Sequence, residues 1–171
     1  MTVGGDEAAA AKDRALPPGL YFLDDLRPGD RFATGGITVQ DWHILTFAGL
    51  TGDFFDVHTD DEFARALGFE GRIAHGLLGL ALVDGLKNRA EVRLAAIASL
   101  GWQWDFKAPI RPGDRIRAKA TVLEVRPSRS KPDRGLVSLR FRVLNQHDTL
   151  VQGGENRLML RRRLPSDGER A

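Results

Sequence analysis

Three observations in the 171-residue sequence predict an α+β fold, a curled antiparallel sheet wrapped around one long buried helix. From Gly76 to Leu86 the residues Leu77, Leu78, Leu80, Ala81, Leu82 and Val83 are apolar around the full helical circumference. A helix of that kind is enclosed on every side. Downstream, the period changes from 3.6 to two: Ala98, Leu100, Trp102, Trp104 and Phe106 alternate with Ser99, Gly101, Gln103, Asp105 and Lys107. Further strands follow in succession through turn signals, which favours antiparallel neighbours. In a single domain of this size, a curved sheet is the economical cover for such a helix.

Taken in order, residues 1–19 are rich in Ala and Gly, end in Pro17-Pro18-Gly19 and show no apolar period, which predicts a flexible N-terminal arm. The single folded domain is expected over 20–163, and 164–171 as a frayed tail. Pro28-Gly29-Asp30 signals a turn, and Arg31 to Val39 reads as the first strand. Ile44, Leu45, Phe47 and Ala48 recur at helical spacing between Asp41 and Leu50, closed by Gly49 and Gly52. Residues 53–58 read as irregular. Thr59-Asp60-Asp61-Glu62 matches a capping box with Thr59 as N-cap, and Gly68 stands where a helix-ending glycine belongs. Beyond the apolar helix, Lys87 to Arg93 is expected at the surface. Ile116, Ala118, Ala120 and Val122 form another alternating run, whose phase slips at Leu123 and Val125 and so predicts a bulge. Val137 to Val143 and Leu150 to Arg162 complete the strands, the latter after a turn at Asn145 to Thr149. Arg-Pro-Gly-Asp-Arg occurs at 27–31 and again at 111–115, each time before a strand; the flanks differ, so this is reused turn chemistry.

Composition narrows the function classes. Apolar residues make up 42% and charged residues 28%, as in an ordinary globular domain. The net charge of +2 offers no basic stripe for nucleic acid; the one compact run, Arg161-Arg162-Arg163, reads as a solvated strand end. With no cysteine, a disulfide framework, a thiolate zinc site and a thiol nucleophile are all excluded. The longest apolar run, Leu77 to Val83, falls far short of the roughly 18 residues of a membrane helix. The first residues carry Asp6 and Glu7 and do not read as a signal peptide, so the expected location is cytoplasmic.

The chemistry concentrates where the apolar helix begins. Asp53 and His58 flank an irregular, glycine-bounded segment between regular elements. A carboxylate beside an imidazole is a general acid–base pair, because histidine titrates near neutrality and a neighbouring anion tunes it. The first N–H groups of a helix lack intrahelical acceptors and carry the positive end of its dipole. Glycine at that end, Gly76, lets a ligand carbonyl approach and find an oxyanion site. The alternative is that Gly76 serves tight packing and His75 caps the turn. His43 and His147 receive no role, and Trp102 and Trp104 read as core or interface.

Thr51-Gly52-Asp53-Phe54-Phe55-Asp56-Val57-His58, followed by Ile73-Ala74-His75-Gly76, resembles the MaoC-like dehydratases, the (R)-specific enoyl-CoA hydratases. The resemblance covers roughly residues 24–160 and implies the hot-dog fold. It also implies that Asp53 and His58 polarise one water for addition to the β-carbon of a trans-2-enoyl thioester, giving an (R)-3-hydroxyacyl thioester. The Gly76 N–H would hold the thioester oxygen. No metal and no cofactor are implied beyond the coenzyme A or acyl-carrier-protein thioester itself, and the protomers are expected to pair as a homodimer or higher homo-oligomer, with no nucleic-acid or membrane partner. The family pattern has Asn-Pro where this chain has Phe55-Asp56. Phe55 is expected to narrow the pocket and Asp56 to add a second anion near His58. A thioesterase and a non-catalytic acyl-thioester binder on the same fold are the competing readings.

Overall fold

The computed structural model describes residues 13–163. Eight strands and four α-helices follow one another as β1 (Arg14–Ala15), β2 (Gly19–Tyr21), β3 (Asp30–Thr38), α1 (Asp41–Thr51), α2 (Asp56–Thr59), α3 (Asp61–Ala66), α4 (Gly76–Asn88), β4 (Val92–Leu94), β5 (Ala96–Phe106), β6 (Arg115–Pro127), β7 (Arg134–Leu144) and β8 (Leu150–Arg161). A 3-10 turn, Leu23–Asp25, separates β2 from β3. The main sheet has the order β1-β3-β6-β7-β8-β5, and β2 pairs with β4 in a separate ribbon. The large pairings are all antiparallel; β1 joins β3 in parallel over two residues.

The alternation of the sequence becomes the inward row of the sheet. Ile116, Ala118, Ala120 and Val122 of β6, with Val137, Leu139, Phe141 and Val143 of β7, are buried together with Leu78 and Val83 of α4. The helix packs on β3, β6 and β4, and α1 lies beside it. The predicted bulge is present as a register shift between Val122 and Glu124. The two Arg-Pro-Gly-Asp turns are built alike. Gly29 and Gly113 have φ of +89° and +92°. The aspartates that follow accept from the backbone N–H of Arg27 (2.9 Å) and Arg111 (2.8 Å). Proline followed by a left-handed glycine is type II turn chemistry.

Four expectations change. Residues 1–12 and 164–171 lie outside the described residues, but 14–19, read as part of an arm, are held in place. Arg14 donates twice to the buried carboxylate of Asp30, at 2.7 and 2.6 Å, and Leu16 is buried. The N-cap of α3 is Asp60, one residue beyond Thr59. Its carboxylate accepts from the N–H groups of Glu62 (2.7 Å) and Phe63 (3.1 Å), while Thr59 is the last residue of the short α2, which begins inside the segment read as irregular. The helix α4 is not enclosed all round: Leu77 is 61% exposed, and Ala81 and Gly85, one and two turns on, are exposed beside it. Lys87, expected at the surface, is only 6% exposed. Its ammonium meets Asp84 at 2.6 Å and Asn156 at 3.4 Å, and lies 5.2 Å from the ring centre of Trp102. Periodicity registers how apolar a helix is; it does not say which side the sheet leaves uncovered.

Candidate active site

Three short pieces of chain meet at the start of α4. Gly52 ends α1 in the left-handed region, φ +78°, and turns the chain into Asp53. Thr51 Oγ1 accepts from the Asp53 N–H at 3.2 Å, and Asp53 Oδ1 accepts from the Phe55 N–H at 3.3 Å, so the carboxylate is placed by its own turn. The single turn of α2 carries His58, anchored by buried Val57, whose carbonyl accepts from the Ile73 N–H at 3.1 Å. The segment 73–75 then runs between α2 and the strand connection at Ile110, whose carbonyl accepts from Ala74 at 2.7 Å. It delivers His75 and Gly76 to the helix mouth.

Asp53, His58 and His75 each bring a nitrogen or oxygen within 4.8 Å of the other two. The hydrogen bonds fix both tautomers. A carbonyl only accepts, so His58 Nδ1–H donates to Ile73 O at 2.7 Å and leaves Nε2 as a base. By the same logic His75 Nε2–H donates to the backbone oxygen of Asp53 at 2.9 Å, tying the carboxylate-bearing turn to the helix start. The rings of His58 and His75 lie with centroids 3.8 Å apart and planes 30° apart, and Phe47 packs on His75 at 5.0 Å. Burial disfavours a charged His58 and holds its pKa below the ordinary histidine range; the Ile73 carbonyl opposes this, His75 adds to it and Asp53 opposes it. A carboxylate with two imidazoles is a zinc-type donor set. Of the four ring nitrogens, His58 Nδ1 and His75 Nε2 are already engaged by backbone oxygens.

His58 and Gly76 line the same open cavity of about 340 Å³, together with Phe69, Ile73, Phe106, Ile110 and Gln152. Gly76 is there for space. A methyl on its Cα would lie 2.6 Å from the tip of the Phe106 ring. Gln152 is 2% exposed; its Nε2 donates to Gly76 O at 3.0 Å and its Oε1 accepts from the Trp104 indole at 3.1 Å.

Of the residues singled out in the sequence, Asp53 and His58 therefore come together, and His58 shares its cavity with Gly76. Phe55 stacks edge-on to His58 (6.2 Å) and to Phe63 (5.8 Å) and is more than half exposed; it does not line the cavity. Asp56 opens α2, where a carboxylate suits the helix's positive end, and His58 is shifted by burial, His75 and Asp53 instead. His43 caps α1, its Nδ1 accepting from the Gln40 N–H at 2.9 Å. Two site residues escaped the sequence reading. His75 stood in the motif but was read only as a turn cap. Gln152 is a polar residue on an inward strand position, a break in the apolar alternation that marks a buried polar group.

The sequence profile of the MaoC like domain matches residues 26–139. The chain is 35% identical over 115 residues to Protein MaoC of Klebsiella aerogenes, a match that takes in 67% of this chain and about a third (34%) of that protein's length. Over 112 residues it is 32% identical to an (R)-specific enoyl-CoA hydratase of Aeromonas caviae, covering 66% of this chain and 79% of the relative. In three dimensions it superposes on the MaoC-like dehydratase of Rhodospirillum rubrum with a TM-score of 0.76 and 33% identity, over 85% of this chain and 99% of that one. A double hot-dog protein of Mycobacterium tuberculosis shares the fold with a TM-score of 0.76 at 23% identity, over 88% of this chain and 48% of that chain. The helix-wrapping sheet is thus the hot-dog fold, and the chain belongs to the MaoC-like domain family.

Proposed function

We propose that the protein is a hydratase/dehydratase of acyl thioesters, adding water reversibly to a trans-2-enoyl thioester of coenzyme A or an acyl-carrier protein to give the (R)-3-hydroxyacyl thioester. The observation that carries this reading is the convergence of Asp53 and His58 within 4.8 Å beside a cavity that includes Gly76 at the start of α4. Relatives named as (R)-specific enoyl-CoA hydratases, and one named as a 3-hydroxybutyryl-CoA dehydratase, support the same reaction class.

In this reading a water sits between His58 Nε2 and the Asp53 carboxylate. His58 takes one of its protons as the oxygen adds to C3 of the enoyl group. The electron pair of the double bond moves towards the thioester oxygen, where the Gly76 N–H and the helix's positive end stabilise the enolate. The proton then passes from the Asp53–His58 pair to C2, which completes the addition of one water. The thioester is the electron sink, so the mechanism calls on no metal and no redox cofactor. We infer a homodimer working in the cytoplasm; none of the helices among the described residues is long and apolar enough to cross a membrane.

The test is to add the protein to crotonyl-CoA and follow the conjugated enoyl-thioester absorbance. Loss of absorbance without release of free thiol is expected, and both Asp53→Asn and His58→Ala should lower the rate by about 10²- to 10⁴-fold with the fold intact. Thiol release would indicate a thioesterase instead. Tight binding without turnover would leave a non-catalytic acyl-thioester binder.

A further inference from the structure

Gln152 is a buried amide that the mechanism above leaves unused. It lies on β8 with its side chain turned to the start of α4, in a sheet whose inward positions are otherwise mostly Val, Leu, Ile and Phe. A polar group in such a place costs stability unless its hydrogen-bonding capacity is used. Its neighbours fix its orientation without ambiguity. The Trp104 indole can only donate, so it faces Oε1 at 3.1 Å; the Gly76 carbonyl can only accept, so it faces Nε2 at 3.0 Å. The amide is also held from behind. Gly79, one turn into α4, has no room for a Cβ, which would lie 2.4 Å from Nε2.

A primary amide nitrogen carries two hydrogens. One is given to Gly76 O, and the second has no acceptor among the described residues. Gln152 lines the same cavity of about 340 Å³ as His58 and Gly76. The cavity thus holds a rigid, nearly fully buried amide with an unspent N–H, adjacent to the residue whose own N–H heads the helix. We propose that Gln152 is a substrate-binding residue, the second hydrogen-bond donor to the thioester oxygen beside the Gly76 N–H. Two fixed donors at one oxygen stabilise developing negative charge better than one, because neither has to reorganise as the charge forms.

This rests on the acyl-thioester reading, and the experiment separates the two. Butyryl-CoA is a saturated thioester that cannot be hydrated; S-butyl-CoA is the thioether without the carbonyl oxygen. Both are titrated calorimetrically into the wild type, Gln152→Leu and Gln152→Glu. The glutamate variant keeps an acceptor for Trp104 and has at most one hydrogen, which Gly76 O takes, so none is left for the substrate; it covers the case in which the leucine variant folds poorly. The wild type is expected to prefer the thioester, and both variants to lose about tenfold of that preference while binding the thioether as before. With crotonyl-CoA the loss should fall mainly on kcat, because the oxygen gains its charge in the transition state. A variant that binds both ligands equally more weakly, with the preference unchanged, would reduce Gln152 to a packing residue and overturn the proposal alone. Absence of wild-type binding to either ligand would overturn the acyl-thioester reading and this proposal together.

Discussion

His58 carries the most local prediction. Desolvation is the largest influence on it, and the stacked His75 ring adds to the cost of charging it, whereas the Ile73 carbonyl and Asp53 pull the other way. The net result is an imidazole that stays neutral below the ordinary value of about 6.5. In the proposed mechanism His58 accepts the water's proton and must be neutral, so the acid limb of kcat/KM for hydration should have its midpoint below pH 6.5. His75→Phe keeps a ring in the stack and removes the neighbouring imidazole. The acid limb should then move to higher pH, measured as a pH–rate profile for each protein. A limb that stays in place would show that His75 has no electrostatic hold on His58. The same shift sets a stability window. Because the folded-state pKa is depressed, the contribution of neutral His58 is present above about pH 6.5 and is lost as pH falls through the folded value. Urea midpoints should therefore decline over that range, and less so in His58→Ala.

At the scale of elements, the start of α4 is held by contact as much as by hydrogen bonds. Phe106, the last residue of β5, lies across Gly76 so closely that an alanine there would place its methyl 2.6 Å from the ring. Phe106 is itself 57% exposed, so its ring can swing away. Gly76→Ala should thus cost little stability. It should lower kcat, since roughly 1 Å of misplacement can cost about 10²-fold. Phe106→Ala in the same chain should return part of the loss. Kinetics of the two single variants and the double measure this coupling directly, and strict additivity would rule out the clash as the cause. The elements themselves were legible in the sequence because their periods are strong. The alternation ending at Phe106, the phase slip after Val122 and the apolar run from Leu77 each became the predicted strand, bulge or helix. What escaped was set by tertiary partners that no local pattern encodes. Asp60 outcompetes Thr59 as a cap because it stands extended between two short helices, with φ −125° and ψ 118°. Lys87 is buried because Asp84 lies one turn before it on the helix and Asn156 of β8 reaches it from 69 residues away in sequence. The site shows the same division: Asp53 and His58 stand in one motif and Gly76 in the next, whereas Gln152 reaches Gly76 across 76 residues.

For the molecule as a whole, the two rims of the main sheet differ. One ends in the two-residue β1, too short to template another chain. The other is β5, eleven residues long, with Ile97, Leu100 and Phe106 each more than 40% exposed. Long apolar rims invite strand pairing, and proteins that remain single chains usually blunt them with charge, proline or bulges. Register shifts at Ala96/Ala98 and Ser99/Gly101 bend the first half of β5, but Trp102 to Phe106 pairs regularly with β8 and has no partner strand on its outer side among the described residues. The uncovered side of α4, with Leu77 and Ala81, adds apolar surface. A second copy that adds β5 to β5 about a two-fold axis would satisfy both groups of backbone donors and acceptors at once. Light scattering should accordingly give twice the 18.9 kDa mass of the chain. Ile97→Lys with Leu100→Lys should shift the population to single chains, because each copy would bring its charges to the shared seam. Phe106 closes β5 beside Gly76, so hydration activity should fall along with the dimer fraction as the variant is diluted. A variant that is monomeric and fully active would place the whole site within one chain and detach the catalytic reading from assembly.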